Sequence, residues 1–218
     1  MNSRHAAALT LFIGLLCFES NAQEPPEVEC ANLVYARTKS AVCFSDGFLA
    51  RLRRDTSIRV EPHFRPVKLE TDEIYTYPFA IMSGEGGFQL TDMERHNLRD
   101  YLMRGGFLLA SSGCSNKQWD GAFRNEMRVV FPEFELVKLP MDHPVFRTVY
   151  DIGSIATRHG RHHGYLEGMV INGRLVMIYA ALGLNSTQHV RGCCCCGGSE
   201  IHNADEINAN VLAYALLH

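Results

Sequence analysis

The chain lacks most of the features that would assign it quickly. Its 21 Lys and Arg against 24 Asp and Glu leave a net charge of −3 with the signs mixed, so it carries no basic field for a nucleic-acid backbone. No internal repeat and no long linker breaks it up, which leaves out solenoids and strings of small modules. A phosphate loop needs a lysine that is missing here, so the helix start at Thr91 is only a generic anion position. Nor are there two separated Cys-x-x-Cys pairs, the spacing of a zinc ribbon. At 218 residues the chain suits one domain of ordinary size, large enough to bury a core without disulfide staples.

The N-terminus does carry a signal. Arg4 precedes an apolar segment, Ala6 to Phe18, that is too short and too lightly flanked to span a bilayer. Small residues at Ser20 and Ala22 place a signal-peptidase site, so residues 1–22 read as a signal peptide cleaved after Ala22. Cys17 invites a lipoprotein reading, but Leu16 is larger than the small residue that lipidation signals require. The mature chain is expected to be exported, periplasmic or secreted, with no integral membrane segment. It would start with a disordered Pro- and Glu-rich leader at 23–29, followed by a single domain at 30–218. Cleavage removes Cys17 and leaves Cys30, Cys43, Cys114, Cys193, Cys194, Cys195 and Cys196. This odd count in an oxidising compartment leaves at least one cysteine unpaired, metal-bound or intermolecular.

The stretch from Tyr77 to Cys114 sets the fold class. Pro78 to Met82 is a short, continuously apolar run, as in a strand buried on both faces of a parallel sheet. Ser83-Gly84-Glu85-Gly86-Gly87 ends it with a flexible loop. Thr91 and Glu94 form a capping box, Met93, Leu98, Tyr101 and Leu102 make an apolar stripe, and Gly105-Gly106 stops the helix. Phe107 to Ala110 restarts a strand. Strand, helix and strand at this spacing predict a right-handed parallel crossover.

Around this unit, Leu33 to Tyr35 reads as a first strand and Phe44 to Arg54 as a helix with Phe48, Leu49 and Leu52 on one face. Ile58 to Val60 and Val67 to Leu69 read as short strand material, held to the sheet edge by Pro62 and Pro66. Trp119, Phe123, Met127 and Val130 mark an amphipathic helix closed by Pro132, and Phe134 to Val137 alternates like a strand. Asp142 is placed to cap a turn or short helix that runs through Pro144 to Phe146. Residues 155–164 are rich in His, Arg and Gly and read as a surface loop. Asn172-Gly173 between apolar runs at 166–171 and 174–180 is a type I′ hairpin signal. Asn203 and Glu206 cap a last helix with Ile207, Val211, Tyr214 and Ala215 facing inward. The expectation is an α/β fold: a mostly parallel, flavodoxin-like sheet flanked by helices, with an added antiparallel hairpin near 166–180.

Several motifs then fall in a specific order. They are Tyr77-Pro78-Phe79, Gly84-Glu85-Gly86 with Leu90-Thr91, and the run Tyr101 to Phe107. Phe123 to Met127, Phe131-Pro132, Asp142 to Phe146, Asn172-Gly173-Arg174, Asn208 to Val211 and Tyr214 to Leu216 follow. In this order the chain resembles the domain of unknown function 4159 family, and that family resembles the class I glutamine amidotransferase-like fold. The resemblance spans roughly residues 30–218 and implies a fold, with no established reaction. It also implies a cysteine nucleophile just after a central strand, and Ser112-Gly113-Cys114-Ser115 stands in that place, although Asn116 sits where a second glycine is expected. The His-Pro-Glu-like element of such a triad is missing, since Val145 follows His143-Pro144, and Asn203 and Ala204 follow His202. The candidate catalytic residues are therefore Cys114, His143 and Glu85, the last a carboxylate in the glycine loop.

The tract Cys193-Cys194-Cys195-Cys196 supports two readings. Neighbouring α-carbons are only ~3.8 Å apart, too close for a relaxed bridge within a neighbouring pair. These thiols can pair with Cys30, Cys43 or Cys114, or serve as soft ligands for zinc or copper together with Cys114 and His189, with His159, His162 and His163 as further donors. The leading expectation is an exported, non-catalytic binding domain with a candidate Cys/His metal site. The alternative is a cysteine-dependent hydrolase or amidotransferase relative using Cys114. Substrate and partner do not follow from the sequence.

Overall fold

A computed structural model describes residues 26–157, 164–185 and 200–218. The expected signal peptide, His159, His162, His163, His189 and Cys193, Cys194, Cys195 and Cys196 lie outside the described residues. In chain order the elements are β1 (Cys30–Val34), α1 (Gly47–Asp55), β2 (Arg65–Lys68), β3 (Phe79–Gly84), α2 (Asp92–Met103), β4 (Phe107–Ser112), α3 (Lys117–Val130), β5 (Val137–Lys138), β6 (Glu167–Ile171), β7 (Arg174–Ala180) and α4 (Ala204–Leu217).

The strands form one mixed sheet in the order β2-β1-β3-β4-β7-β6-β5. β2, β1, β3, β4 and β7 are parallel, while β6 runs antiparallel to β7 and β5 antiparallel to β6. Period-2 alternation divides the core. Phe79 and Ile81 of β3, with Phe107 and Leu109 of β4, face the layer that contains α1 and α4. Ala80 and Met82, with Leu108 and Ala110, face the layer of α2 and α3. Both faces of the central strands are covered, and every residue of β4 is buried, which explains its continuous apolar run. Among the described residues no helix is long and apolar enough to cross a membrane.

Local chemistry sets most of the boundaries. The Thr91–Glu94 capping box closes in both directions, with Thr91 N–H donating to Glu94 and Glu94 N–H donating to Thr91 Oγ1. Gly105 takes a positive φ of 109° at the other end of α2. Asn172 and Gly173 take φ values of 51° and 80° between β6 and β7, as a type I′ turn requires. β2 is an edge strand and carries Pro66, whose missing N–H would break an inner ladder.

Other boundaries differ from the expectation. The alternation at Phe134 to Val137 yields only the two-residue β5, because Phe134 and Leu136 instead pack beside the α3 layer. Val60 makes only an isolated bridge to Val28. Met93 is exposed, so the stripe of α2 is Leu98, Tyr101 and Leu102. The short 3₁₀ helix at Pro144–Arg147 is capped by His143, whose Nδ1 accepts from Val145 N–H at 3.2 Å, and Asp142 takes no part. Asn203 makes no cap bond to α4; its amide nitrogen donates to the Ser154 carbonyl.

Asn210 ties α4 to this region. It is fully buried, accepts from the N–H groups of Val149 and Tyr150 at 3.0 and 2.8 Å, and donates to the Tyr150 carbonyl at 2.9 Å. Asn210→Ala strands these backbone groups inside the fold. It is expected to lower unfolding free energy by about 3 kcal/mol at the usual cost of buried unsatisfied polar groups, measured as a shift in the urea midpoint at unchanged slope.

Candidate functional site

The loops after β1, β3 and β4 gather at the carboxyl end of the sheet. The strand order reverses between β1 and β3: α1 lies on one face, and α2 and α3 lie on the other. Open α/β sheets bind ligands at such a crossing, where adjoining loops diverge and leave a crevice. Here a cleft of about 210 Å³ opens among Ser40, Cys43, Ser83, Glu85, Gly113 and Asn185.

Each wall has an identifiable support. The β1 wall leaves the strand through a tight reversal, in which Ala36 and Arg37 take positive φ and Tyr35 and Lys39 exchange backbone bonds of 2.8 Å. Lys39 Nζ then donates to the Glu85 carbonyl at 2.8 Å and joins this reversal to the glycine loop. Tyr35 reaches below it, donating to the Ser83 carbonyl at 3.0 Å and accepting from Trp119 Nε1 at 2.7 Å. Burial pushes the Tyr35 hydroxyl well above its ordinary pKa, so it stays protonated as a donor.

The β4 wall is a strand–turn–helix elbow. Cys114 and Ser115 take φ values of 50° and 53°, a left-handed pair without glycine. Asn116 then caps α3, its Oδ1 accepting from Gln118 and Trp119 N–H and also from Gly86 N–H across the cleft at 3.1 Å. One side chain thus terminates the elbow, starts the helix and holds the glycine loop. The two loops are also in direct contact, since a Cβ on Gly113 would stand 2.7 Å from the Gly84 carbonyl oxygen, and one on Gly84 would stand 2.6 Å from Tyr35 Oη.

Glu85 and Cys114 lie on the same rim: a Cβ on Gly113, the neighbour of Cys114, would meet Glu85 Cγ at 3.3 Å. Cys43 and Cys114 are both disulfide-bonded, while Cys30 is free and buried in β1, its thiol pushed up to about 12 by burial. A disulfide sulfur offers neither a nucleophilic thiolate nor a thiolate metal ligand. His143 stands elsewhere. It packs on Tyr214 near the far end of α4, with ring centroids 5.5 Å apart. At 1.5 Å per residue Tyr214 is roughly 15 Å along the helix from its first turn. Burial lowers the His143 pKa, consistent with a neutral ring whose Nδ1 accepts a backbone N–H. Among the described residues no three His, Cys, Asp or Glu side chains are grouped to hold a metal.

The family model for the domain of unknown function DUF4159 matches residues 31–216. The chain belongs to this family. No curated protein matches it. The DUF4159 match covers every strand and helix described here apart from Cys30, the first residue of β1, and Leu217, the last of α4.

Two residues of the cleft region escaped the sequence reading. Asn116 was legible as an N-cap, an Asn three positions before the first apolar residue of a helical stripe. Asn185 carried no local signal. Gly113→Ala pushes a methyl into the Gly84 backbone, which has no soft side chain to yield. It is expected to cost about 1–3 kcal/mol, in the range of overpacked sites, read from chemical denaturation.

Proposed function

We propose that the chain is an exported, non-catalytic binding domain that takes a small molecule in the cleft between the ends of β1, β3 and β4. The carrying observation is the coincidence of that cleft with the crossing between β1 and β3. At about 210 Å³ it is smaller than the ~300–1,000 Å³ of drug-sized pockets, so the occupant is compact. Its polar lining favours acceptors. The Glu85 carboxylate stands at the rim, Asn185 Oδ1 is buried with no donor among the described residues, and the nearby ammonium of Lys39 is engaged by the Glu85 carbonyl. The lining therefore suits a ligand bearing N–H or O–H donors. Disulfides at Cys43 and Cys114, together with the leader-like N-terminus, support export to an oxidising compartment.

One observation favours a second reading. Cys114 holds the left-handed position of an elbow between β4 and the N-terminus of α3. This is the placement expected from the amidotransferase-like resemblance, and a helix N-terminus favours a thiolate. In that reading reduction of the Cys114 disulfide precedes any nucleophilic chemistry.

Ligand-observed NMR with amines, amides and polyols tests the binding reading. Hits should compete for one site and be weakened by Glu85→Gln and Asn185→Leu; absence of hits, or hits indifferent to both changes, would discard it. Iodoacetamide labelling after reduction separates the two readings. Cys114 should be inert in the untreated chain on either reading. After dithiothreitol, labelling at the rate of an ordinary free cysteine supports the binding domain, whereas labelling much faster than free cysteine at neutral pH would favour the enzyme.

A further inference from the structure

Four side-chain oxygens around the first turn of α4 are closed off from solvent with no hydrogen-bond donor among the described residues: Oδ1 of Asn185, Asn203, Asp205 and Asn208. Asn185 is only 3 % exposed and Asn208 only 1 %. Buried acceptors nearly always find a donor, and each one left bare costs ~1–3 kcal/mol. Four such losses would take a large part of the ~5–15 kcal/mol that holds a domain together.

The fold brings these groups to one end of α4. Asn208 Nδ2 donates at 3.1 Å to the Leu184 carbonyl, which belongs to the peptide leading into Asn185, so both amides adjoin one peptide group. Asp205 and Asn208 are three residues apart on α4 and share a face. Asn203 spends its amide nitrogen on the Ser154 carbonyl at 3.1 Å, which leaves its oxygen as the group still to be satisfied among the described residues. Among the described residues no ion pair reaches Asp205, whereas the adjacent Glu206 lies 3.7 Å from Arg51. The buried carboxylate of Glu200 is close by, next to Gly183.

We infer that these oxygens form a site for a hard divalent cation, calcium, between the Leu184–Asn185 turn and the first turn of α4. The donor set contains only oxygen, mostly neutral amide carbonyls with Asp205 as the charged member. That composition suits calcium, which accepts amide oxygens in irregular geometry, better than magnesium, which demands a near-ideal octahedron and keeps its waters. It does not suit zinc or copper(I), which favour sulfur and nitrogen. The positive end of α4 opposes a cation, and the first-turn carboxylates of Asp205 and Glu206 offset this. With so few charges the dissociation constant belongs in the weak range of extracellular modules, on the order of 10⁻⁴–10⁻³ M.

The test uses the full mature chain with its disulfides intact, stripped with EDTA and titrated with calcium chloride to about 10 mM, above that range. Calorimetry should show saturable binding and thermal unfolding should show a raised Tm. Asp205→Asn, an isosteric change at a half-buried position, should weaken binding by about tenfold or more by removing the charged ligand, with circular dichroism confirming the fold. Asp142→Asn, an exposed acid elsewhere, should leave binding unchanged. No saturable response in the wild type would overturn the assignment and leave water as the donor to these amides. A response that Asp205→Asn does not weaken would overturn it as well. Asn185 borders the β1/β3 cleft as well, but the readout needs no cleft ligand and turns on Asp205, which does not line the cleft, so the two proposals can fail separately.

Discussion

At the carboxyl end of the sheet two backbones come so close that Gly113 has no room for a side chain. Gly84 at the end of β3 and Gly113 after β4 are in contact, and Tyr35 and Trp119 close around the first of them through a hydrogen bond that the Trp119 indole N–H donates to the Tyr35 hydroxyl. Trp119 in turn stacks on Phe123 and Phe123 on Tyr179, so the contact runs on into the core between α3 and the sheet. Tyr179 donates to Asp120 at 2.6 Å, and Arg124 bridges Asp120 to Glu167 on β6. The cleft walls therefore rest on fully buried aromatic groups. Such a mouth is rigid because the surrounding core has little freedom to move.

That rigidity bears on the two functional readings. A preformed cleft suits binding, since little ordering must occur when a ligand enters. The elbow at Cys114 stores backbone strain of the kind that functional sites hold, but its sulfur is committed to a disulfide. On the two proposed readings, the same scaffold would offer a binding cleft in the oxidised chain and a nucleophile only after reduction.

Much of the fold was readable because it is written in local chemistry. Thr91 with Glu94, Asn172 with Gly173, and the spacing of Trp119, Phe123, Met127 and Val130 each specify a feature within a few residues, and each appears in the structure. Where a tertiary contact competes with a local one, the sequence misleads. Asn203 gives its side chain to Ser154 rather than to α4, while at the Pro144 turn one local cap replaces another, His143 taking the role expected of Asp142. The site was less legible still. The bond from Trp119 to Tyr35 spans 84 residues, and nothing near Asn185 in sequence announces that it lines a cleft shared with Ser83 and Gly113.

The two rims of the sheet share a property that concerns neighbouring molecules more than ligands. At one rim β2 carries a proline without an N–H and exposes Arg65 and Lys68; at the other β5 is only two residues long, and β6 is bulged between Met169 and Val170. An incoming strand from another copy would find no continuous row of donors and acceptors at either rim, while the exposed Val137 and Val170 would otherwise be adhesive there. The interruption that shortens the sheet also guards a crowded solution of this protein against fibre growth.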